Sequence, residues 1–168
     1  MRYGRVFLVG FMCSGKSTVG KLLAEELGWK FVDVDEEVVR REGLSIPEIF
    51  EKKGEGYFRE LELGLLKELA EKEGVVISTG GGLGANPKAM GFMKDKGLVV
   101  WLRVSYEEFL RRCGDDPNRP LLRRGEKELR KLMEEREKVY SLAELWIEES
   151  SSPKDAVRSI KEKLRGEG

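Results

Sequence analysis

Residues 10–17 of the chain read GFMCSGKS, and Thr18 follows. This stretch matches the pattern G-x-x-x-x-G-K-[ST] in full. In that pattern, backbone N–H groups and one lysine surround the phosphates of a nucleotide. The flanking residues suit the motif, because the apolar run 5–10 predicts a buried strand and the spacing of apolar residues over 16–27 predicts a helix. The positive end of that helix adds to the attraction for anions. The segment therefore predicts a phosphate-binding loop between a strand and a helix.

The rest of the chain alternates short apolar runs with longer amphipathic segments, which predicts a parallel sheet covered by helices on both faces. Its length of 168 residues fits one domain, 1–168. A polar segment at 114–125 has no apolar period and is predicted to be a mobile loop. The other predicted strands are 30–34, 74–78, 98–102 and 145–148, and predicted helices include 36–41, 56–72, 126–140 and 153–164.

Composition excludes several classes of function. The 31 Lys and Arg residues balance 31 Asp and Glu residues, so we expect neither a nucleic-acid partner nor a membrane partner. The chain has no histidine, which excludes His-based catalysis and His–metal sites. Cys13 and Cys113 lie far apart, unlike a secreted disulfide framework or a CxxC metal site. No signal peptide or membrane span is evident, so we expect a cytoplasmic location. Abundant Lys and Glu with few amide side chains is typical of thermophile proteins.

Asp33 and Asp35 stand at the end of the second predicted strand as D-x-D. The period of two in a strand sends both side chains to one face, at the carboxyl edge where the phosphate loop also lies. One carboxylate would then approach Mg²⁺ together with the Ser17 hydroxyl, and the other would bind a substrate hydroxyl. The alternative interpretation is a solvated strand end without a ligand.

Six separated motifs occur in an order that resembles the shikimate kinase family over almost the whole chain. They are GFMCSGKST at 10–18, DVD at 33–35, FRE at 58–60, STGGG at 78–82, NRPLL at 118–122, and R-x-x-x-Y from Arg136 to Tyr140. The resemblance implies an α/β P-loop fold of the nucleoside-monophosphate-kinase-like type, with three layers and a five-stranded parallel sheet. It also implies a substrate-binding helical section at about 34–62 and a mobile lid at about 113–125.

The same resemblance implies an activity and its participants. The enzyme would transfer the γ-phosphoryl group of ATP to the 3-hydroxyl of shikimate, with Mg²⁺ as cofactor, toward chorismate and the aromatic amino acids. We expect a monomer. The implied ATP-binding residues are Cys13, Ser14, Gly15, Lys16, Ser17, Thr18, Arg112 and Arg119, and the implied metal site is Ser17 with Asp33. The implied shikimate-binding residues are Asp35, Phe50, Phe58, Arg59, Gly80, Gly81, Gly82 and Arg136. Lys16, Asp35 and Arg119 are the implied catalytic residues.

Physical chemistry supports these roles and leaves plainer alternatives open. Arginine pairs bidentately with a carboxylate, and glycine lets the backbone approach a ligand closely. In a chain this rich in arginine, however, Arg59 and Arg136 could also be solvated surface charges. Phe50 and Phe58 could also be ordinary core residues.

Three features depart from the family. Cys13 stands where the phosphate loop commonly has glycine, which predicts a loop without positive φ there. The cysteine is expected to act as a small buried filler, and the alternative is a sensitive thiol beside the phosphates. Residues 150–153 (SSSP) stand where an adenine-contacting Arg is often found. The third strand ends without the usual acidic residue, which leaves Asp33 as the acidic metal partner.

Two other functions remain open. A kinase of the same fold that acts on another small hydroxylated acid, such as gluconate, would suit the arginine pair equally well. A nucleotide-binding module without catalysis would bind ATP and have no acceptor.

Overall fold

Five parallel strands form the centre of this computed structural model, which describes residues 3–113 and 125–166. Their order in the sheet is β2-β3-β1-β4-β5, so β1 is central and pairs with both β3 and β4. The predicted five-stranded parallel sheet is confirmed, and each strand end lies within about one residue of its prediction. The strands are β1 Arg5–Val9, β2 Lys30–Asp33, β3 Val75–Ser78, β4 Leu98–Leu102 and β5 Leu145–Ile147.

Helices connect the strands, and several begin at a side chain that caps them. Ser45 accepts a hydrogen bond from the backbone of Glu48 while the Glu48 side chain bonds back to Ser45, a complete capping box. Ser152 caps the last helix, because its hydroxyl accepts a hydrogen bond from the backbone N–H of Asp155. The helices are α1 Lys16–Leu27, α2 Val34–Glu42, α3 Ile46–Lys53, α4 Glu55–Leu69, α5 Gly81–Gly84, α6 Pro87–Lys96, α7 Tyr106–Cys113, α8 Glu126–Tyr140 and α9 Pro153–Leu164.

The sheet separates two hydrophobic cores, which gives three layers. Val6 and Leu8 of β1 face one core, built with α1 and α9, while Phe7 and Val9 face the other, to which α4, α6 and α8 contribute. All four side chains are fully buried, which explains why β1 is continuously apolar rather than alternating. No helix in the described part of the chain has the length and apolarity needed to cross a bilayer.

The strand register brings three loops to one edge of the sheet. Asp33 is opposite Ser78 in the β2–β3 pair, and Ser78 is opposite Leu8 in the β3–β1 pair. The backbone N–H of Thr79 and its hydroxyl both donate to the Leu8 carbonyl, at 3.1 and 2.9 Å. The segments that follow β1, β2 and β3 therefore start side by side, at the carboxyl edge where α/β sheets bind ligands.

The two cysteines form a disulfide that the sequence interpretation did not anticipate. Cys13 and Cys113 are 100 residues apart in the chain, yet their Cα atoms lie 6.0 Å apart and the side chains are bonded. Because the two residues are so far apart in the chain, the local spacing of cysteines does not indicate that they pair. In the chain-entropy model, closing a loop of this length stabilises the fold by about 4.7 kcal/mol. The expected role of Cys13 as a simple filler is therefore wrong.

Candidate active site

The phosphate loop leaves the end of β1 and enters α1 at Lys16. Gly10 has φ of 153°, and a β-carbon there would lie 2.7 Å from the carbonyl oxygen of Leu102, so only glycine fits. Gly15 caps α1 with φ of 94°. The ammonium of Lys16 donates to the carbonyls of Gly10 and Phe11, at 2.7 and 3.1 Å, and so lies inside the loop. Ser14 is buried, whereas Thr18 is exposed on the first turn of α1.

Cys13 has a left-handed backbone, contrary to the expectation from the sequence. Its φ is 61°, the only positive φ of a residue other than glycine among the described residues. The loop therefore keeps the conformation that a glycine would adopt, although a side chain now stands there. Arg112 contacts this point, because its Nη1 donates to the Cys13 carbonyl at 3.2 Å while its Nε bonds Glu108 at 2.9 Å. Arg112 thus lies beside the phosphate loop.

Ser17 and Asp33 place two hard oxygen donors next to each other. The Ser17 hydroxyl lies 3.5 Å from Oδ2 of Asp33, and the other oxygen of Asp33 caps α2 by accepting from the Glu36 backbone at 3.0 Å. Burial raises the pKa of Asp33, and the neighbouring carboxylate of Asp35 adds to this effect. A cation at Oδ2 would offset both the burial of the Asp33 charge and its repulsion by Asp35. Within 3–113 and 125–166, no cluster of three or more Asp, Glu, Cys or His side chains forms a metal site by itself.

Asp35 reaches the site from a helix and not from a strand. The strand ends at Asp33, which serves as the N-cap of α2, and Asp35 lies in the first turn of that helix. The argument from strand period was therefore wrong, because an aspartate at a strand end is also a strong helix cap. Asp35 still points to the sheet edge, where a β-carbon on Gly80 would collide with its Oδ2.

Glu62 is a site residue that the sequence interpretation missed. Its side chain has 0% exposure, and Oε1 accepts from Nη1 of Arg59 at 2.8 Å. Oε2 of Glu62 and Oδ1 of Asp35 are buried and receive no hydrogen bond from the described residues. Desolvation raises the pKa of Glu62, and the Asp35 carboxylate raises it further. A proton on Glu62 would supply the missing donor between the two groups. The sequence could have indicated Glu62, because its spacing places this acidic residue on the same face of α4 as the buried Phe58, Leu65 and Leu66.

This raised pKa predicts how stability depends on pH. The folded state holds the Glu62 proton more tightly than the unfolded chain, so the free energy of unfolding should fall as pH rises above the ordinary value of 4.5. In Glu62→Gln, this decline should be weaker, and the variant should gain more than about 1 kcal/mol relative to the parent between pH 5 and pH 8. Urea unfolding at both pH values measures the difference, with the exposed Glu51→Gln as control. An equal decline in both variants would show that Glu62 ionises normally.

Arg136 and Tyr140 approach the glycine run from α8. A β-carbon on Gly81 would lie 2.8 Å from Nη1 of Arg136, whose guanidinium stands 5.7 Å from the centre of the Phe11 ring. Burial lowers the pKa of Arg136, and the positive charge of Arg59 acts in the same direction. No carboxylate of the described residues forms an ion pair with Arg136. This half-buried cation therefore suits an incoming anion.

Tyr140 holds the glycine run in place. Its hydroxyl donates to the Gly81 carbonyl at 2.6 Å, and its ring is fully buried near Trp101. Burial raises the pKa of the phenol, so it remains a donor. The R-x-x-x-Y motif pointed to this residue, and the structure adds its contact.

The three glycines face three different candidate side chains. Gly80 abuts Asp35, Gly81 abuts Arg136, and Gly82 abuts Arg59, whose Nη1 would lie 2.5 Å from a β-carbon at Gly82. Gly81 and Gly82 belong to the short helix α5, Gly81–Gly84, and Gly80 is its N-cap. An open cleft of about 300 Å³ beside it is lined by Arg59, Gly82, Ala85, Leu132, Glu135 and Arg136.

The two phenylalanines differ in burial. Phe58 is 2% exposed and belongs to the core, where its ring meets Phe50 edge to face at 5.1 Å and lies 5.4 Å from the Arg59 guanidinium. Phe50 is partly buried. Arg119, which was expected to contact the phosphates, lies outside the described residues, as does nearly all of the expected lid at 113–125.

Comparisons with known proteins agree on one family. The shikimate kinase family model matches residues 12–165. A shikimate kinase of Aquifex aeolicus is 56% identical over 162 residues, which cover 96% of each chain. The structure of shikimate kinase from Acinetobacter baumannii in complex with shikimate superposes with a TM-score of 0.90 and 39% identity, covering 98% of this chain and 94% of that one. A gluconokinase from Sinorhizobium meliloti, at 18% identity, 98% and 93% coverage, and a TM-score of 0.62, shares the fold alone.

Proposed function

The chain belongs to the shikimate kinase family, and we propose that the side chains around its glycine run bind shikimate beside ATP in the phosphate loop. The chain is an ATP-dependent kinase. It transfers the γ-phosphoryl group of ATP to the 3-hydroxyl of shikimate and yields shikimate 3-phosphate and ADP.

The pair of guanidiniums at Gly81 and Gly82 is the observation that carries the assignment of the acceptor site. Arg136 has no carboxylate partner among the described residues, whereas Arg59 is paired with Glu62 and Glu55. Two cations directed at one cleft suit a carboxylate, because guanidinium and carboxylate pair through two parallel hydrogen bonds. The carboxylate of shikimate would relieve the cost of holding both charges close together.

Asp35 is proposed to bind the shikimate hydroxyls on the other side of the glycine run. The Asp35 carboxylate lies so close to Gly80 that no side chain would fit there. The carboxylate and the Gly80 backbone could therefore contact the same face of the ligand. There it would orient the attacking hydroxyl or accept its proton. Phosphoryl transfer depends mainly on such positioning and on charge stabilisation. Phe50 and Phe58 would provide the apolar side of the acceptor site.

The phosphate loop is proposed to bind ATP through the backbone of residues 13–18 and the ammonium of Lys16. Gly81 lies close to the start of this loop, because a β-carbon there would lie 3.8 Å from the Gly10 carbonyl oxygen. This proximity supports a proposed acceptor site next to the proposed phosphate site. Arg112, which contacts Cys13, is proposed to pack on the adenine, and Arg119 to neutralise charge on the transferring phosphate.

Mg²⁺ is the proposed cofactor, and the donor set on the chain fits it. The Ser17 hydroxyl and Oδ2 of Asp33 are hard oxygen ligands, and Mg²⁺ is commonly held by few protein groups together with phosphate oxygens and water. When bound, the ion would neutralise charge on the phosphates. We propose that the protein is a cytoplasmic monomer whose only partners are ATP and shikimate. Its balanced charge gives no overall attraction for nucleic acid or membranes.

An acceptor assay tests this function. With ATP and Mg²⁺, the purified protein should release ADP when shikimate is added, and phosphorus NMR should identify shikimate 3-phosphate as the product. Gluconate, the acceptor of the rival hypothesis, should give far lower kcat/KM, because it lacks the ring that Phe50 and Phe58 are proposed to contact. Preferred turnover of gluconate would contradict the acceptor assignment. Nucleotide binding without turnover of either acid would favour the non-catalytic module.

A further inference from the structure

The bond between Cys13 and Cys113 joins the phosphate loop to the end of α7. Cys113 is the last residue of that helix and is buried, whereas Cys13 is partly exposed in the loop. Their Cα separation of 6.0 Å lies within the range of unstrained disulfides. The residue before Cys113, Arg112, also donates to the Cys13 carbonyl. The end of α7 therefore holds Cys13 through both its side chain and its backbone.

The backbone of Cys13 has a conformation that L-residues disfavour. At φ of 61°, the β-carbon crowds the following carbonyl oxygen, so a free cysteine would tend to leave this region. The loop needs its local backbone shape, because successive N–H groups must point inward to form an anion nest. A covalent anchor that fixes Cys13 therefore also fixes part of the nucleotide site.

We propose that Cys13 and Cys113 form a thiol–disulfide modification site that sets the affinity of the phosphate loop for nucleotide. In the oxidised form, the bond holds the loop in its phosphate-binding shape. In the reduced form, Cys13 relaxes toward negative φ, and nucleotide binding must drive it back. The proposal deepens the ATP-binding role of the loop and does not depend on which acid is the acceptor.

The exchange chemistry requires a dithiol as reductant. One thiolate of the reductant attacks the Cys13 sulfur, which is the more accessible of the two, and the sulfur of Cys113 leaves as a thiolate that takes up a proton. The second thiolate of the reductant then attacks the first sulfur of the reductant in the mixed disulfide, and the Cys13 sulfur leaves as a thiolate that takes up a proton. The protein gains two electrons and two protons, and the reductant becomes a cyclic disulfide.

Nucleotide titration of the oxidised and reduced protein tests the proposal. Samples are treated with oxidised glutathione or with dithiothreitol, and alkylation with iodoacetamide followed by mass spectrometry counts the free thiols. Calorimetric titration with ADP should give a Kd that is roughly 5- to 30-fold higher for the reduced protein. The KM for shikimate should be the same in both forms, which a general loosening of the fold would not allow. Because ADP binding needs no acceptor, this result stands even if the acceptor assignment fails.

Two variants separate the covalent bond from the backbone strain. Cys113→Ser removes the bond and leaves Cys13 in the loop, so its Kd for ADP should equal that of the reduced parent with or without dithiothreitol. Cys13→Gly also lacks the bond but adopts positive φ freely, so it should bind ADP more tightly than Cys113→Ser. The proposal is overturned if the oxidised parent still shows two free thiols. Equal Kd values for parent samples that mass spectrometry shows to be oxidised and reduced would also overturn it.

Discussion

Lys16→Ala is expected to lower kcat for shikimate phosphorylation by about 100- to 1000-fold, the effect of removing one preorganised charge from a phosphoryl-transfer site. The ammonium lies 2.7 Å from the Gly10 carbonyl, inside the phosphate loop, so its loss removes the one side-chain cation that the described part of the loop itself carries. The KM for shikimate should change little, because the glycine run and its two arginines are untouched. Steady-state kinetics with each substrate varied in turn measures both effects.

Lys21→Ala is the matched control for this substitution. Lys21 lies on the same helix, α1, but its side chain is exposed to solvent. It should retain the kcat of the parent, and both variants should unfold at the same temperature as the parent. If Lys16→Ala turned over shikimate at the parental rate, the phosphate loop would have no part in the reaction.

Asp35→Asn is expected to lower kcat by about 100- to 10,000-fold, the usual range for loss of a group that orients or deprotonates a nucleophile. The amide keeps the size of the carboxylate, so the contact at Gly80 should persist while the charge is lost. The KM for ATP should remain near that of the parent, because Asp35 lies on the acceptor side of the site. Measuring kcat across pH also shows which ionisation disappears with the carboxylate.

Asp95→Asn provides the comparison, since Asp95 is exposed on α6. It should have parental kcat at every pH. A variant of Asp35 that retained kcat and showed only a raised KM for shikimate would mean that the carboxylate binds the substrate and takes no part in the transfer. In Asp35→Asn, the pKa of Glu62 should also fall, because the Asp35 carboxylate is one of the groups that raise it. The protonation of Glu62 should therefore affect activity over a lower pH range than in the parent.

Glu62 also changes how the arginine pair is understood. Arg59 is held by the buried Glu62, and although burial lowers the pKa of Arg59, its interactions with Glu62 and Glu55 together outweigh burial and raise that pKa. Arg136 has no such support among the described residues. The two guanidiniums are therefore unequal: Arg59 is fixed in place before the substrate arrives, while Arg136 gains most from an incoming carboxylate.

Local patterns in the chain were sufficient for the architecture. The phosphate motif at 10–17, the five apolar runs and the amphipathic segments between them each depend on neighbouring residues, and the structure confirms the parallel sheet that they predict. The same holds for the family, whose motifs are short and separated. These features are readable because hydrophobic period, capping and glycine geometry act over a few residues.

Contacts between distant segments were not readable in this way. Glu62 met Asp35 as well as Arg59 in a buried cluster, and each glycine of the run faced one particular side chain. Cys13 joined Cys113 across 100 residues and kept a left-handed backbone. Such pairings depend on how helices pack against the sheet, and burial, which shifts the pKa values, exists only once the chain is folded.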